Sequence, residues 1–314
     1  MIICDSHACP DLSEEADLSH LHKYLESGYS FISLNVGFQP QSLEAIKKNC
    51  IAYKHFIDCN PKYFQFAKDV SDIILAKESN KLAISFDIEG LNKSTFNDSQ
   101  LNVLRSLGIR QISPVYNQNN FLGGGCFDRD LGLTQEGKTF VKLMNHFGMV
   151  IDCSHVGEKT AFDIIDASED PVIFSHSNPK AMNDHSRNIS DKVIMGCAEK
   201  LGLICINGIN LFLKDNVSSP KNIADHIYYV CNLVGSEFVG IGLDYVFDHE
   251  RTLELVKDNP DSFSEAEQYI NVKVTKPEAI KEISNHLENL GLSEKDISNI
   301  LGENYLRLIN SVWR

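Results

Sequence analysis

Residues 149–177, MVIDCSHVGEKTAFDIIDASEDPVIFSHS, decide the fold. Two short apolar runs, MVIDCSH (149–155) and PVIFSHS (171–177), each run into a histidine, and an amphipathic stretch separates them. Continuous apolarity, rather than alternation, marks strands covered on both faces, as in parallel sheets with helices outside. The same kind of unit recurs in both directions. IICDS (2–6), FISLNV (31–36), LAISFDIE (82–89) and RQISPVY (110–116) precede the pair, and LICING (203–208) and VGIGLDY (239–245) follow it. Helical stripes lie between: Leu18, Leu21 and Leu25 before Gly28; Phe66, Val70, Ile73 and Ile74; Phe140, Leu143, Met144 and Phe147 before Gly148. Ser190-Asp191 opens another helix, Ala224, Ile227, Tyr228 and Val230 lead to Gly235, and the tail from Pro277 reads as two helices broken near Gly291. Eight such strands alternating with helices predict an α/β fold, a (β/α)8 TIM barrel spanning residues 1–314 as one domain. An open doubly wound sheet is the competing arrangement. The polar segment 246–276 follows the eighth strand and is expected over the active face as a loop insertion.

Composition narrows the partners. Among 314 residues there are 29 Lys+Arg against 43 Asp+Glu, a formal charge of −14, which argues against nucleic-acid backbones and anionic membranes. No stretch approaches the roughly 18 apolar residues of a membrane span. The start, MIICDSHACPDL, has no basic segment, apolar run and small-residue cleavage site of a secretory leader. The nine cysteines are odd in number and form no CxxC pair, and Cys4, Cys153 and Cys205 sit in apolar runs as small hydrophobes do. A reducing, cytoplasmic setting is the expectation.

Polar residues recur where the strands end: Asp5, His7 and Cys9; Asp87 and Glu89; Tyr116 and Asn117; His155; His176; Asn207; Asp244. In a parallel barrel these ends meet at one mouth. A lone strand-end histidine is usually an ordinary satisfied residue, so the weight lies in the ensemble of imidazoles, carboxylates and a thiol, which suits a divalent metal, Zn²⁺ first. His20, His22, His55, His146, His226 and His286 fall on helical stretches and read as surface or packing residues, whereas His185 and His249 fall in loops at the active face. Gly123-Gly124-Gly125 precedes Cys126-Phe127 rather than Lys-Ser/Thr, so a flexible loop is expected there and not a phosphate cradle. No GxSxG elbow is present.

Taken together, DSHACPDL (5–12), SFDIEG (85–90), LGIRQISPVYNQNN (107–120), GMVIDCSHVG (148–157), PVIFSHSN (171–178), DHSRNISD (184–191), GIGLDYVFD (240–248) and LGENYLRL (301–308) give a specific pattern over nearly the whole chain. In these motifs the chain resembles the membrane (renal-type) dipeptidases, zinc enzymes of the amidohydrolase-like barrel group. The resemblance implies hydrolysis of the amide bond of dipeptides, including those with a C-terminal D-residue, by a metal-activated hydroxide. It implies two zinc ions sharing Glu89, one also held by His7 and the residue two beyond it, the other by His155 and His176. Asp244 becomes the acid/base group, and Arg187 the partner of the substrate carboxylate. Tyr116 stands where the family carries a substrate-binding histidine, with Asn117 beside it, and Asp5 supports the ligands from behind. A small peptide is the implied partner, and a homodimer the implied assembly. One departure bears on the metal: the family's His-x-Asp is His7-Ala8-Cys9 here. Cys9 either supplies a thiolate ligand or leaves one position weak or empty, so the zinc count is one or two. Hydrolysis of a lactone or cyclic amide, or a non-catalytic binding module, are the rival readings.

Overall fold

The structure, a computed structural model, describes residues 1–260 and 269–314. Ten strands run in chain order: β1 (Cys4–Cys9), β2 (Phe31–Phe38), β3 (Phe64–Phe66), β4 (Leu82–Glu89), β5 (Ile109–Ser113), β6 (Val150–Ile151), β7 (Ile173–Phe174), β8 (Leu203–Ile206), β9 (Val239–Ile241) and β10 (Tyr245–Val246). β1, β2, β4, β5 and β6 pair in that order, all parallel, and β7, β8 and β9 continue in the same sense. A parallel bridge between Asp152 and Ile173 joins the two arcs. The ring closes where Ser6 Oγ donates to Ile241 O at 2.9 Å and Asp244 N donates to His7 O at 3.2 Å. Eight strands therefore form a closed (β/α)8 barrel, and they are the eight read from the sequence. The open sheet is excluded by the closure.

Two short strands were not anticipated. β3 pairs with Leu82–Ile84 at the start of β4, where β5 has not yet begun: the β4–β5 ladder runs only from Phe86. Phe66 thus lies on a strand and not on the helical stripe expected for it. The helix begins at Val70, because the Asp69 side chain accepts from Asp72 N and sets the boundary there. β10 adds to the upper end of β1 at Ala8 and Cys9.

Polarity is graded along the barrel axis. At the N-terminal ends of the strands, Cys4, Phe31, Ala83, Val150, Ile173 and Leu203 pack against Tyr305, Leu308, Ile309 and Val312. These last four lie on the C-terminal helix Asn304–Val312, which plugs that end. Above the plug the interior turns polar. Asp152, on the link from β6, accepts from Ser154 N at 2.9 Å, Ser175 N at 3.1 Å and the Ser175 hydroxyl, so the buried charge is well partnered. Over the opposite mouth the segment expected as a polar loop contains a helix, His249–Asp258, capped by Asp248 accepting from Arg251 N at 3.0 Å. Its Val256 is buried with Phe38, against Leu12, Tyr116, Leu255 and Tyr269. The expectation for 261–268, within the same segment, lies outside the described residues. Among the described residues no helix is long and apolar enough to cross a membrane.

Because Ile309 is fully buried in the plug, Ile309→Ala is expected to cost about 2–5 kcal/mol of stability. Urea unfolding checks this, and a loss below about 1 kcal/mol would remove the plug from the account of how the barrel is held.

Candidate metal centre and active site

Glu89 ends β4, and His155 and His176 follow β6 and β7 in the next turns. Glu89 Oε1 lies 2.7 Å from His155 Nε2, 3.3 Å from His176 Nε2 and 3.6 Å from His7 Nε2. The two Nε2 atoms are themselves 2.9 Å apart. Their other nitrogens are committed. His155 Nδ1 meets the Asn117 amide oxygen at 2.7 Å, and His176 Nδ1 meets Ser175 Oγ at 2.7 Å, whose own hydrogen goes to Asp152. Each Nδ1 therefore carries a proton, and each Nε2 turns a lone pair inward. Three electron-rich atoms within 2.7–3.3 Å of one another, all buried, repel unless positive charge sits among them. A single shared proton can bridge two of them at a time, whereas a cation can be ligated by all three. The donor set fits a divalent metal.

A second triangle adjoins the first. Cys9 Sγ is 3.2 Å from both His7 Nε2 and Asp244 Oδ1, which are 3.8 Å from each other. The His7 ring stacks on His176 with centroids 4.1 Å apart. Behind it, His7 Nδ1 is 3.1 Å from Asp87 Oδ1, a charge contact without hydrogen-bond alignment. Asp87 is fixed by Ser33 Oγ at 2.7 Å and Asn35 Nδ2 at 3.2 Å, and the same Asn35 amide reaches Glu89 Oε2 at 3.1 Å. Asn207 Nδ2 donates to Asp244 Oδ2 at 2.9 Å, which leaves Oδ1 facing the cluster. His155, Asn117 and Asp244 all sit at positive φ (79°, 57° and 54°), a left-handed backbone that is costly for such residues and common where a side chain must be aimed.

Arg187 enters from the far wall, only 3% exposed, with Nη2 3.4 Å from His155 Nε2 and its guanidinium over the Phe212 ring at 5.5 Å. Among the described residues no carboxylate lies within 4.0 Å of it. Tyr116 stacks on His155 at 4.4 Å. These groups floor a cleft of about 950 Å³, counting its open mouth, with apolar walls from Phe38, Val256, Ile209 and Phe212.

The family model described as membrane dipeptidase (Peptidase family M19) matches residues 11–313. The chain belongs to the membrane dipeptidase family. Among curated members, dipeptidase tcpJ of Claviceps purpurea is 29% identical over 79% of this chain, and an uncharacterized dipeptidase of Schizosaccharomyces pombe is 30% identical over 82%. The chain spans only 55% and 57% of those two proteins. Among solved structures, an amidohydrolase from Pseudomonas aeruginosa superposes with a TM-score of 0.91 at 25% identity, covering 99% of this chain and 96% of that one. A metallopeptidase from Rhodobacter sphaeroides, bound to a phosphinate mimic of the dipeptide L-Ala-D-Ala, shares the fold with a TM-score of 0.78 at 17% identity, covering 100% and 99%. The family model's match begins at residue 11, two residues after Cys9.

Within this family frame the structure brings together His7, Cys9, Glu89, His155, His176, Asp244, Arg187 and Tyr116. Two expected residues sit elsewhere. Asn117 lies behind His155, because its left-handed turn aims the amide at Nδ1 and away from the cleft. Asp5 does not touch an imidazole. It accepts from Leu243 N at 3.0 Å, His7 N at 3.3 Å and Tyr24 Oη at 3.2 Å, tying β1 to the turn that carries Asp244. The carboxylate behind His7 is Asp87, which the sequence reading left without a role, although its position two residues before Glu89 on a strand puts both on one face. Asn35, Ser175 and Asp152 carried no signal beyond strand alternation. Nor is the triple glycine a loose loop: a Cβ on Gly125 would lie 2.1 Å from Asn117 O, and Gly124 N donates to Thr160 Oγ1 at 2.9 Å. His249 lines the cleft, and His185 accepts from Arg187 N at 3.1 Å.

Burial sets the protonation of the cluster. Burial, with Arg187 and His7 nearby, holds the His155 imidazole well below its usual range, and His176 follows for the same reasons. Burial pushes Glu89 up to about 8, a rise that Asp244 and Asp87 reinforce and that His7 and Arg187 oppose. Burial also works against a charged His7, but the Asp87, Cys9 and Glu89 charges outweigh it and raise its pKa. A metal that needs the Glu89 carboxylate must displace its proton below pH 8, so affinity should fall as pH falls, by about tenfold per unit for one proton released. Chelator competition between pH 6 and 9 measures the slope, and a flat profile would exclude Glu89 as a ligand.

Proposed function

We propose that this chain is a zinc-dependent dipeptidase acting on short peptides with a free C-terminus, including those ending in a D-residue. The whole of 1–314 forms the catalytic unit, with the helix His249–Asp258 at the mouth. The inward lone pairs of His155 and His176 around Glu89 Oε1 carry the reading. In it Glu89 would be a ligand common to two zinc ions, one held also by His155 and His176 and the other by His7 and Cys9. Zinc held there supplies Lewis-acid polarisation of the scissile carbonyl and lowers the pKa of the attacking water.

The protein groups do the rest. Arg187, buried and without a carboxylate partner among the described residues, receives the substrate α-carboxylate, ideally as a two-pronged pair. That pairing fixes the scissile bond over the cluster and favours peptides only two residues long. Asp244 has Oδ2 held by Asn207 and Oδ1 turned to the cluster, 3.2 Å from Cys9 Sγ, where it takes the proton of the attacking water and hands it to the leaving amine. Burial and the Glu89 charge raise the Tyr116 phenol well above its normal range, so it stays protonated and able to donate to a developing oxyanion. Phe38 and Val256 dry the wall and strengthen each of these interactions. The stereochemical choice takes support from the Rhodobacter sphaeroides relative, which was solved with an L-Ala-D-Ala mimic.

Two substitutions test the assignment. Arg187→Ala should raise KM for free dipeptides by about ten- to a hundredfold, in line with a lost charged hydrogen-bond pair, and change dipeptide amides little. Equal effects on both substrate sets would remove Arg187 from substrate recognition. Glu89→Gln should lower zinc content by at least one ion per chain and turnover by orders of magnitude. Full metal content and activity in that variant would overturn the bridging role.

A further inference from the structure

We infer that the two metal positions are chemically unlike, and that Cys9 makes the His7 position selective for thiophilic cations. The inference rests on the dipeptidase reading above and concerns which cation each half of its centre takes. Two ligand triangles meet at this mouth. One, Glu89–His155–His176, offers two imidazoles and a carboxylate with edges of 2.7, 2.9 and 3.3 Å. The other, His7–Cys9–Asp244, offers an imidazole, a sulfur and a carboxylate with edges of 3.2, 3.2 and 3.8 Å. Atoms bound tetrahedrally at the ~2.0–2.3 Å of zinc–nitrogen and zinc–sulfur bonds are roughly 3.3–3.8 Å apart. The sulfur-bearing triangle comes close to that spacing, with two edges at 3.2 Å and one at 3.8 Å, and the nitrogen–oxygen triangle is tighter.

Cys9 is positioned for this by β1 itself. The strand's register shifts between Asp5 and Ala8, so His7 and Cys9 both turn toward the interior cluster, while Ala8 pairs with Leu34 and Tyr245. Phe247 N donates to Cys9 O at 2.9 Å and pins the main chain at that point. The sulfur also lines the cleft, on the cation's entry path. Thiolate is the softest donor available to a protein: it favours Zn²⁺, Co²⁺ and Cd²⁺ and disfavours Mg²⁺ and Mn²⁺, which prefer oxygen. Where the family pattern has a carboxylate at this position, this chain has exchanged a hard ligand for a soft one at one of its two positions. The Glu89–His155–His176 position, with no sulfur, keeps the broader tolerance of nitrogen and oxygen donors. Cations of different softness should therefore sort between the halves.

The full chain, stripped of metal and titrated with Co²⁺, tests this by absorption. The expected result is a thiolate-to-cobalt charge-transfer band that saturates at one equivalent, in a protein that takes up two. Cys9→Asp, which restores the family's His-x-Asp, should lose the band and keep two-ion binding, with the preference for Zn²⁺ over Mn²⁺ at that position falling about tenfold or more. Cys59→Ser, at an exposed thiol 3.5 Å from the His55 ring, controls for an adventitious surface site and should leave the band intact. Uptake of cobalt without a band, or a band that survives Cys9→Asp, overturns the inference and leaves the dipeptidase reading standing. No cobalt uptake at all overturns both.

Discussion

Nitrogen and oxygen lone pairs held face to face in a buried space are the constraint around which this molecule is arranged. His155 Nε2, His176 Nε2 and Glu89 Oε1 converge within 3.3 Å. Left free, the rings would rotate to find better partners. Each is stopped by a hydrogen bond from behind: Asn117 fixes His155, Ser175 fixes His176, and Asn35 holds the second oxygen of Glu89. Those supports come from neighbouring strands and their loops, so the barrel closure is what makes the repulsive arrangement possible. Burial then keeps both imidazoles neutral, the form in which a histidine ligates a metal.

The cost of such an arrangement has to be offset elsewhere, and the axial gradient of polarity shows where. The end plugged by Tyr305, Leu308, Ile309 and Val312 is an apolar cluster. The middle layer is polar but satisfied, with Asp152 accepting three hydrogen bonds. The upper rim carries three left-handed non-glycine residues at the site itself, Asn117, His155 and Asp244. Stability and reactivity are thereby segregated to opposite ends of the same strands, as expected where strained sites are supported by an over-determined scaffold.

This segregation explains what the sequence disclosed. Buried parallel strands are written as uninterrupted apolar runs, so the eight barrel strands could be read one by one, and their polar terminal residues stood out against them. β3 escaped because three residues, Phe64–Phe66, carry no period of their own and pair only where β5 leaves an edge of β4 open. The helix His249–Asp258 escaped because a mostly polar sequence hides a single apolar contact face, which Val256 reveals only when seated against Phe38. Within the site, the groups that turn toward the cleft were legible from position alone. The groups behind them were not, since Asp87 and Asn117 differ from cleft-facing residues only in the direction their side chains take. That direction depends on strand register and on a left-handed turn, neither of which leaves a compositional trace.

Arg187 completes the electrostatic logic. The guanidinium is buried beside two neutral imidazoles, an aromatic face, a backbone carbonyl and the Cys126 thiol, and among the described residues no carboxylate lies within 4.0 Å of it. Such a group is expensive to hold unpaired, and its cost is relieved by a ligand that brings a carboxylate. The same positive charge lowers the basicity of His155 and, by opposing the rise of Glu89, favours the ionised carboxylate. One residue thus favours the metal-ready form of the cluster and, in the dipeptidase reading, recognises the substrate. In that reading, a carboxylate bound at Arg187 would pair the charge and weaken its pull on His155 and Glu89.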